Sequence, residues 1–280
     1  MNYSPKKMKD ILEINQFQLK KKFGQNFIID ENIINNIVEK ADIDKDTLVI
    51  EIGPGAGSLT YGLAKKAKNV LCYEIDTTLK EILKENLKQY DNVNVIFQDF
   101  LKSNVKEDLK QYKYEKLYVV ANLPYYITTP IILSIIEQQL DVNKIVVMVQ
   151  KEVGDRFKAT VGTKDYNSLT IFLNYYFNIK KIMDVSKNVF IPKPNVDSIV
   201  VEFKKRKEKL SVINENLFFQ LVRDSFQQKR KTIRNNLKKY NLEQIEFILN
   251  KHQMDLNTRA EQIDIETFIE IANYLSKEQK

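Results

Sequence analysis

An apolar run, Thr47-Leu48-Val49-Ile50-Glu51-Ile52, leads without a break into Gly53-Pro54-Gly55-Ala56-Gly57 and then into an amphipathic stretch. Strand, glycine turn and helix in that order constrain the fold more than any other feature. Glycines there let the backbone turn tightly and bring its amides close to a ligand, at a helix N-terminus that favours negative charge. The neighbouring sequence repeats the alternation. Asp30 is placed to cap a helix with Ile33, Ile34, Ile37 and Val38 on one face. Further strands are expected over 70–75, 93–97, 117–121 and 145–149, with helices after Gly57 and over 77–90 and 129–138. Such alternation predicts an α/β fold: right-handed βαβ units and a mostly parallel sheet covered on both faces. Two further apolar runs, near 179–185 and 196–203, are expected to add an antiparallel pair at the sheet edge.

Counting residues narrows the chemistry. The 280-residue chain has one cysteine, Cys72, and one histidine, His252. That excludes Cys/His zinc sites, disulfide frameworks and most histidine triads. Cys72 sits in the apolar run Val70-Leu71-Cys72-Tyr73 and reads as core, whereas His252 lies in a polar helical stretch and reads as solvated. Group transfer from an activated donor, without a metal, fits what remains. The first 22 residues are charged and polar, and no run reaches the roughly 18 apolar residues of a membrane span. A cytoplasmic location, no membrane contact and a monomeric state are therefore expected.

Charge is concentrated late in the chain. Residues 204–239 hold twelve basic and three acidic side chains, a net +9 that leaves −2 for the rest of a chain of +7. A basic segment of this density is the footprint of a polyphosphate partner, although a solvated linker and a lysine-rich helix face would have the same composition. Within it, Lys204-Lys205-Arg206-Lys207-Glu208-Lys209 has no apolar residue and marks a boundary. Beyond the boundary, Leu217, Phe218, Leu221 and Val222, then Leu242, Ile245, Ile248 and Leu249, then Phe268, Ile271, Ala272 and Leu275 have helical spacing. They predict a small helical domain.

Several residues at predicted strand ends suggest what is bound and what is done with it. In the glycine loop, Ser58 stands where the dinucleotide pattern G-x-G-x-x-G has its last glycine. The shorter spacing suits an amino-acid-bearing nucleoside without a pyrophosphate. Glu74, 21 positions after Gly53, is placed to accept from ribose hydroxyls, and Asp99 to accept from an adenine amine. Either could instead be a surface acid. Asn122-Leu123-Pro124-Tyr125 follows the next strand. An adenine N6 is a poor nucleophile with two N–H donors. Two acceptors, the Asn122 side-chain oxygen and the Leu123 carbonyl, would hold those hydrogens, with Pro124 fixing the turn and Tyr125 stacking on the base. An ordinary turn has the same local sequence. Phe190 opens Phe190-Ile191-Pro192-Lys193-Pro194 and is either a second stacking face for an extruded base or a core residue. Near the front, Lys20-Lys21-Lys22-Phe23-Gly24-Gln25-Asn26-Phe27 mixes basic and aromatic groups suited to RNA backbone or to covering the cofactor, although a solvated lysine run before a helix would look similar.

Taken in order, Phe23-Gly24-Gln25-Asn26-Phe27, Glu51 to Gly57, Glu74-Ile75-Asp76, Gln98-Asp99, Asn122 to Pro130 and Phe190-x-Pro192-x-Pro194-x-Val196-x-Ser198 resemble the ribosomal RNA adenine N6-dimethyltransferases, and within them the bacterial small-subunit type. The likeness runs from about Lys20 to Phe203. It implies a Rossmann-like, class I S-adenosylmethionine-dependent methyltransferase fold with a small C-terminal helical domain. The division expected is a basic extension over 1–22, a catalytic domain over 23–205 and a helical, rRNA-contacting domain over 206–280.

The implied reaction is N6-dimethylation of two adjacent adenosines in the loop of the 3'-terminal helix of 16S rRNA, during small-subunit biogenesis, with S-adenosylmethionine as donor. By position, Asn26, Ile28, Gly53, Gly55, Glu74, Asp99 and Asn122 are implied for the donor. Asn122, Leu123, Pro124, Tyr125 and Phe190 are implied for the target base. RNA contact is expected from Lys21, Lys22, Arg223, Lys229, Arg230, Lys231 and Arg234. Ile28 stands where the family usually has leucine, and the segment 157–168 departs from the usual pattern. Three rival readings share parts of this pattern: a 23S rRNA methyltransferase of the antibiotic-resistance type, a non-catalytic ribosome-assembly factor, and a small-molecule methyltransferase.

Overall fold

A computed structural model of the chain describes residues 26–123 and 127–277. The chain divides into two compact units, one comprising residues up to Gly154 together with Lys180–Lys205, the other Asp155–Ile179 together with residues from Arg206 onward.

The first unit is built on a seven-stranded sheet. Its strands are β2 (Thr47–Ile52), β3 (Asn69–Tyr73), β4 (Val93–Ile96), β5 (Lys116–Asn122), β6 (Lys144–Gln150), β7 (Phe177–Val185) and β9 (Ser198–Lys205), in the order β4-β3-β2-β5-β6-β9-β7. The pairs from β4 through β6 are parallel, and β9 runs antiparallel to β6, from Lys144 opposite Lys204 to Gln150 opposite Ser198. β2 and β5 are buried along nearly their whole length, as strands covered on both faces must be.

Helix α1 (Glu31–Lys40) follows the short strand β1 (Phe27–Ile28), and α2 (Ser58–Lys66), α3 (Lys80–Leu87), α4 (Val105–Leu109), α5 (Thr128–Glu137) and α6 (Lys151–Phe157) follow β2 to β6 in turn, α6 running on past Gly154. Asp30 caps α1 as its position predicts, accepting from the amides of Asn32 at 2.9 Å and Ile33 at 3.4 Å. Ile34, Ile37 and Val38 then pack with Leu59, Leu63 and Ala64 of α2 in one core cluster. Burying each such aliphatic side chain contributes roughly 1.5–3 kcal/mol, which holds α1 where the propensity of a ten-residue helix would not.

Two features differ from the sequence reading. The expected helix over 77–90 is a 3₁₀ turn, Thr77–Leu79, followed by the shorter α3. A two-stranded ribbon also stands apart from the main sheet: β1 (Phe27–Ile28) pairs with β8 (Phe190–Ile191), Phe27 opposite Ile191 and Ile28 opposite Phe190.

The second unit is helical: α7 (Ser168–Tyr176), α8 (Glu215–Ser225), α9 (Ile233–Asn236), α10 (Leu242–Lys251) and α11 (Ile265–Lys277). The apolar residues picked out by spacing form its core: Phe218, Leu221, Val222, Ile245, Ile248, Leu249, Phe268, Ile271, Ala272 and Leu275. The sequence reading kept 155–179 in the catalytic domain, yet this segment groups with the helical unit. The reason lies in α7, whose Ile171 and Tyr175 join that core, with the Tyr175 ring 5.5 Å from that of Phe218. Among the described residues no helix is long and apolar enough to cross a membrane.

Candidate active site

Strand order brings the glycine loop, Glu74 and Asn122 together. β2 lies between β3 and β5, so the chain proceeds from it to β3 and β4 on one side and returns to β5 and β6 on the other. A crevice opens at such a reversal, beyond the carboxyl ends of the strands. The register locates it: Ile52 is level with Tyr73 on β3, and Ile50 with Val119 on β5. Continued past the strand ends, these ladders set Gly53 level with Glu74 on one side and Asn122 on the other.

The loop itself is a cradle. Gly53 has φ of 70° and Gly55 of 59°, a region that side chains with a Cβ rarely occupy. Apart from its two chain neighbours, no heavy atom of the described residues lies within 4 Å of where a Gly53 Cβ would stand, so among them the backbone there faces open space. A Cβ on Gly55 would instead meet Phe27 Cε1 at 2.8 Å, which shows how closely β1 lies against the loop. Open space over a left-handed glycine at the end of β2, in the loop that leads to the N-terminus of α2, fits the amino-acid part of a nucleoside donor.

Glu74 follows β3 rather than ending it and is almost fully buried. Its Oε2 accepts from the Gly55 amide at 3.1 Å and its Oε1 from the Asp76 amide at 2.8 Å. Burial raises its pKa, and the two amide hydrogen bonds oppose that rise. A carboxylate offers about four acceptor positions, so capacity for ribose hydroxyls remains after both bonds. Asp99 caps a short 3₁₀ turn, accepting from the Leu101 amide at 3.0 Å.

The sequence reading missed Ile75, 49% exposed, and Leu101, 39% exposed, which follow these two acids. Both are apolar surfaces of the kind a purine ring would cover. The strand expected over 70–75 stops at Tyr73, which leaves the Ile75 side chain exposed beyond it.

Beneath the loop, Glu51 is buried in β2, and the Cys72 thiol lies 3.7 Å from its Oε2. Burial pushes the Glu51 carboxyl up to about 8, so at neutral pH it is mostly protonated. Cys72 is buried, as its surroundings predict. His252, expected to be solvated, has its ring 2.8 Å from Glu270.

Asn122 is the last residue of β5. Its Nδ2 donates to the main-chain carbonyl of Asn26 at 2.9 Å, and the next residue, buried Leu123, donates its amide to Met148 at 3.3 Å. Pro124 and Tyr125 lie outside the described residues, as do Lys21 and Lys22. Ile28 is buried in the core, which leaves only its backbone for any ligand. Phe190 is 3% exposed and packs in the same cluster as Ile28, Tyr118 and Val120. Here the ring is enclosed, the core alternative of the sequence reading, and a base could stack on it only after its covering residues parted.

In the helical unit, Arg223 occupies the last turn of α8, Lys229, Arg230 and Lys231 follow it, and Arg234 lies on α9; all five are exposed. The backbone carrying them is tied down. Lys231 donates to Gln228 at 2.9 Å, Ile233 to Thr258 at 2.9 Å and Arg234 to Leu256 at 3.0 Å, while the Asn236 side chain donates to Ser225 at 2.6 Å. Lys229, Arg230 and Lys231 form no ion pair among the described residues, so a fixed loop presents uncompensated cations.

The chain is similar to known proteins over most of its length. The family model for ribosomal RNA adenine dimethylase matches residues 16–277. A Staphylococcus aureus protein named ribosomal RNA small subunit methyltransferase A is 48% identical over 277 residues, covering 96% of this chain and 93% of its own. Among solved structures, a dimethyladenosine transferase from Plasmodium falciparum superposes with a TM-score of 0.75 at 26% identity, over 90% of this chain and 98% of that one. The 23S rRNA methyltransferase ErmE gives a TM-score of 0.73 at 27% identity, over 89% and 99%.

Proposed function

The chain belongs to the ribosomal RNA adenine dimethylase family, and we propose that it dimethylates N6 of two adjacent adenosines in the loop of the 3'-terminal helix of small-subunit rRNA. The observation that carries this reading is the parallel register of β2 and β5, Ile50 opposite Val119, which when continued past the strand ends sets Gly53 level with Asn122. That register supports a donor cradle beside an amine-binding strand end.

When bound, S-adenosylmethionine supplies an electrophilic methyl group on a sulfonium. Gly53 and Gly55 admit its amino-acid part, Glu74 takes its ribose, and Asp99 accepts from its adenine amine with Ile75 and Leu101 as apolar surfaces. Asn122 Oδ1 and the Leu123 carbonyl accept the two N6 hydrogens, which localises the nitrogen lone pair and aims it at the methyl carbon. Tyr125, and Phe190 once uncovered, stack on the base. No strong base is required, because positioning and fixed dipoles carry the step and the proton leaves after transfer. Arg223, Lys229, Arg230, Lys231 and Arg234 meet the rRNA backbone. The name and 48% identity of the small-subunit relative favour 16S over 23S rRNA, whose methyltransferase ErmE is more distant in sequence.

The role of Asn122 is tested by Asn122→Ala. Turnover is expected to fall by at least about 10²-fold, with the affinity for the helix RNA retained. Undiminished turnover would remove Asn122 from the reaction.

A further inference from the structure

We infer that the main-chain carbonyl of Asn26 is a positioning group for methyl transfer: by accepting the Asn122 Nδ2 hydrogen it fixes which end of the Asn122 carboxamide faces the target amine. This rests on the reading that Asn122 Oδ1 accepts from adenine N6.

A carboxamide has a donor end and an acceptor end of nearly equal size, and rotation by 180° about its last bond exchanges them. At Asn122 the exchange would matter more than at any other site residue. One orientation offers the target amine an acceptor. The other offers it a second NH₂ group, which would repel the N6 hydrogens. The strand fixes the rest of the residue: Asn122 is opposite Met148 on the β5–β6 ladder, and Leu123 bonds back to Met148. The amide flip is what the ladder cannot set.

The Asn26 carbonyl sets it. At 2.9 Å from Nδ2, it would be in acceptor-to-acceptor contact with Oδ1 in the flipped state. That carbonyl is itself held by a built element. Phe27 and Ile28 pair with Ile191 and Phe190, Ile29 donates to Val189 at 3.0 Å, and Asp30 caps α1. This gives the short ribbon a purpose that core packing alone does not. The element whose Phe27 ring lies against Gly55 of the donor loop also orients the acceptor for the target base.

Replacement of Asn122 by aspartate separates this role from simple acceptance. An ionised carboxylate keeps two acceptors but has no donor for the Asn26 carbonyl. A protonated carboxyl has one O–H donor and one carbonyl acceptor, the same pair as the carboxamide. Asn122→Asp is therefore expected to lose most activity at neutral and alkaline pH and to regain it on acidification. Its rate relative to wild type should fall about tenfold for each unit by which the pH exceeds the pKa of the new carboxyl.

Ionisable groups shared by both proteins cancel in that ratio. At the carboxyl ends of the strands they include Glu51, Glu74, Asp76 and Asp99, with Lys151 and Glu152 following β6. The paired residues Met148 of β6 and Val200 of β9, Asn26, and Phe27 and Ile28 of β1 carry no ionisable side chain.

The experiment measures single-turnover transfer to the helix RNA by wild type, Asn122→Asp and Asn122→Ala between about pH 5.5 and 8.5, with donor affinity followed by calorimetry. An acid-restored ratio for Asn122→Asp, alongside an Asn122→Ala variant inactive throughout, supports the inference. A pH-independent ratio for Asn122→Asp, at whatever level, overturns it while leaving Asn122 in the reaction if Asn122→Ala is inactive. An active Asn122→Ala variant overturns the underlying reading instead.

Discussion

Glu74 holds the amide of Gly55 at 3.1 Å, so the acid proposed to bind the donor's ribose is also part of the scaffold of the glycine loop. Both carboxylate oxygens are engaged by backbone amides before any ligand arrives, which fixes the group's rotamer in advance and lowers the ordering cost of binding. Glu74→Ala is expected to weaken S-adenosylmethionine binding by about 10- to 100-fold, the range of one to two charge-assisted hydrogen bonds. Calorimetric titration of the folded variant checks this; an unchanged affinity would place the ribose elsewhere.

Gly55→Ala tests the cradle. The added Cβ must adopt φ near 59° and would stand 2.8 Å from Phe27 Cε1. A strained backbone costs about 1–3 kcal/mol, so a lowered urea midpoint is expected together with weakened donor binding. Wild-type values of both would contradict the closeness of β1 to the loop.

Glu51 makes stability depend on pH. Its carboxyl titrates near 8 in the folded chain, against an ordinary value of 4.5. The folded state therefore holds a proton that the unfolded chain releases, and the associated stability is full below about pH 4.5 and is lost as pH rises through about 8. Glu51→Gln, neutral at every pH, is expected to flatten this dependence by an amount on the order of a few kcal/mol between about pH 5 and pH 9. Urea midpoints of both proteins across that range decide the matter; parallel curves would mean that Glu51 is not the group responsible.

The exposed cations after α8 should act on RNA alone. Replacing Lys229, Arg230 and Lys231 by glutamine is expected to weaken binding to helix RNA and to reduce the slope of log affinity against log salt by about 2–3. Donor affinity should not change. A slope equal to that of wild type would remove this loop from the phosphate contact surface.

What was legible in the sequence is what local chemistry demands. Gly53, Gly55 and Gly57, with Glu74 at a fixed spacing, follow from the needs of a loop that approaches a ligand, and Asp30 from the needs of a helix N-terminus. The β1–β8 ribbon was not legible, because two-residue strands carry no periodicity and their partners, Phe27 with Ile191 and Ile28 with Phe190, are 164 and 162 positions apart in the chain. The grouping of 155–179 with the helical unit was hidden for a related reason. The charge run at 204–209 marks where the chain leaves β9, but the earlier excursion through α7 is marked only by where Ile171 and Tyr175 are buried. Phe190 shows the limit of motif reasoning, since a ring that could stack on a base and a ring that fills a core have the same local sequence.

The central claim concerns which adenosines receive the methyl groups. The most direct measurement incubates the protein with S-adenosylmethionine labelled in its methyl group and with unmethylated small or large ribosomal subunits, then maps the labelled nucleotides by mass spectrometry of nuclease fragments. The predicted result is N6,N6-dimethyladenosine at two neighbouring positions in the 3'-terminal helix loop of the small-subunit rRNA, with none in the large subunit. Label confined to large-subunit rRNA, or absent from both subunits while the donor still binds, would contradict it.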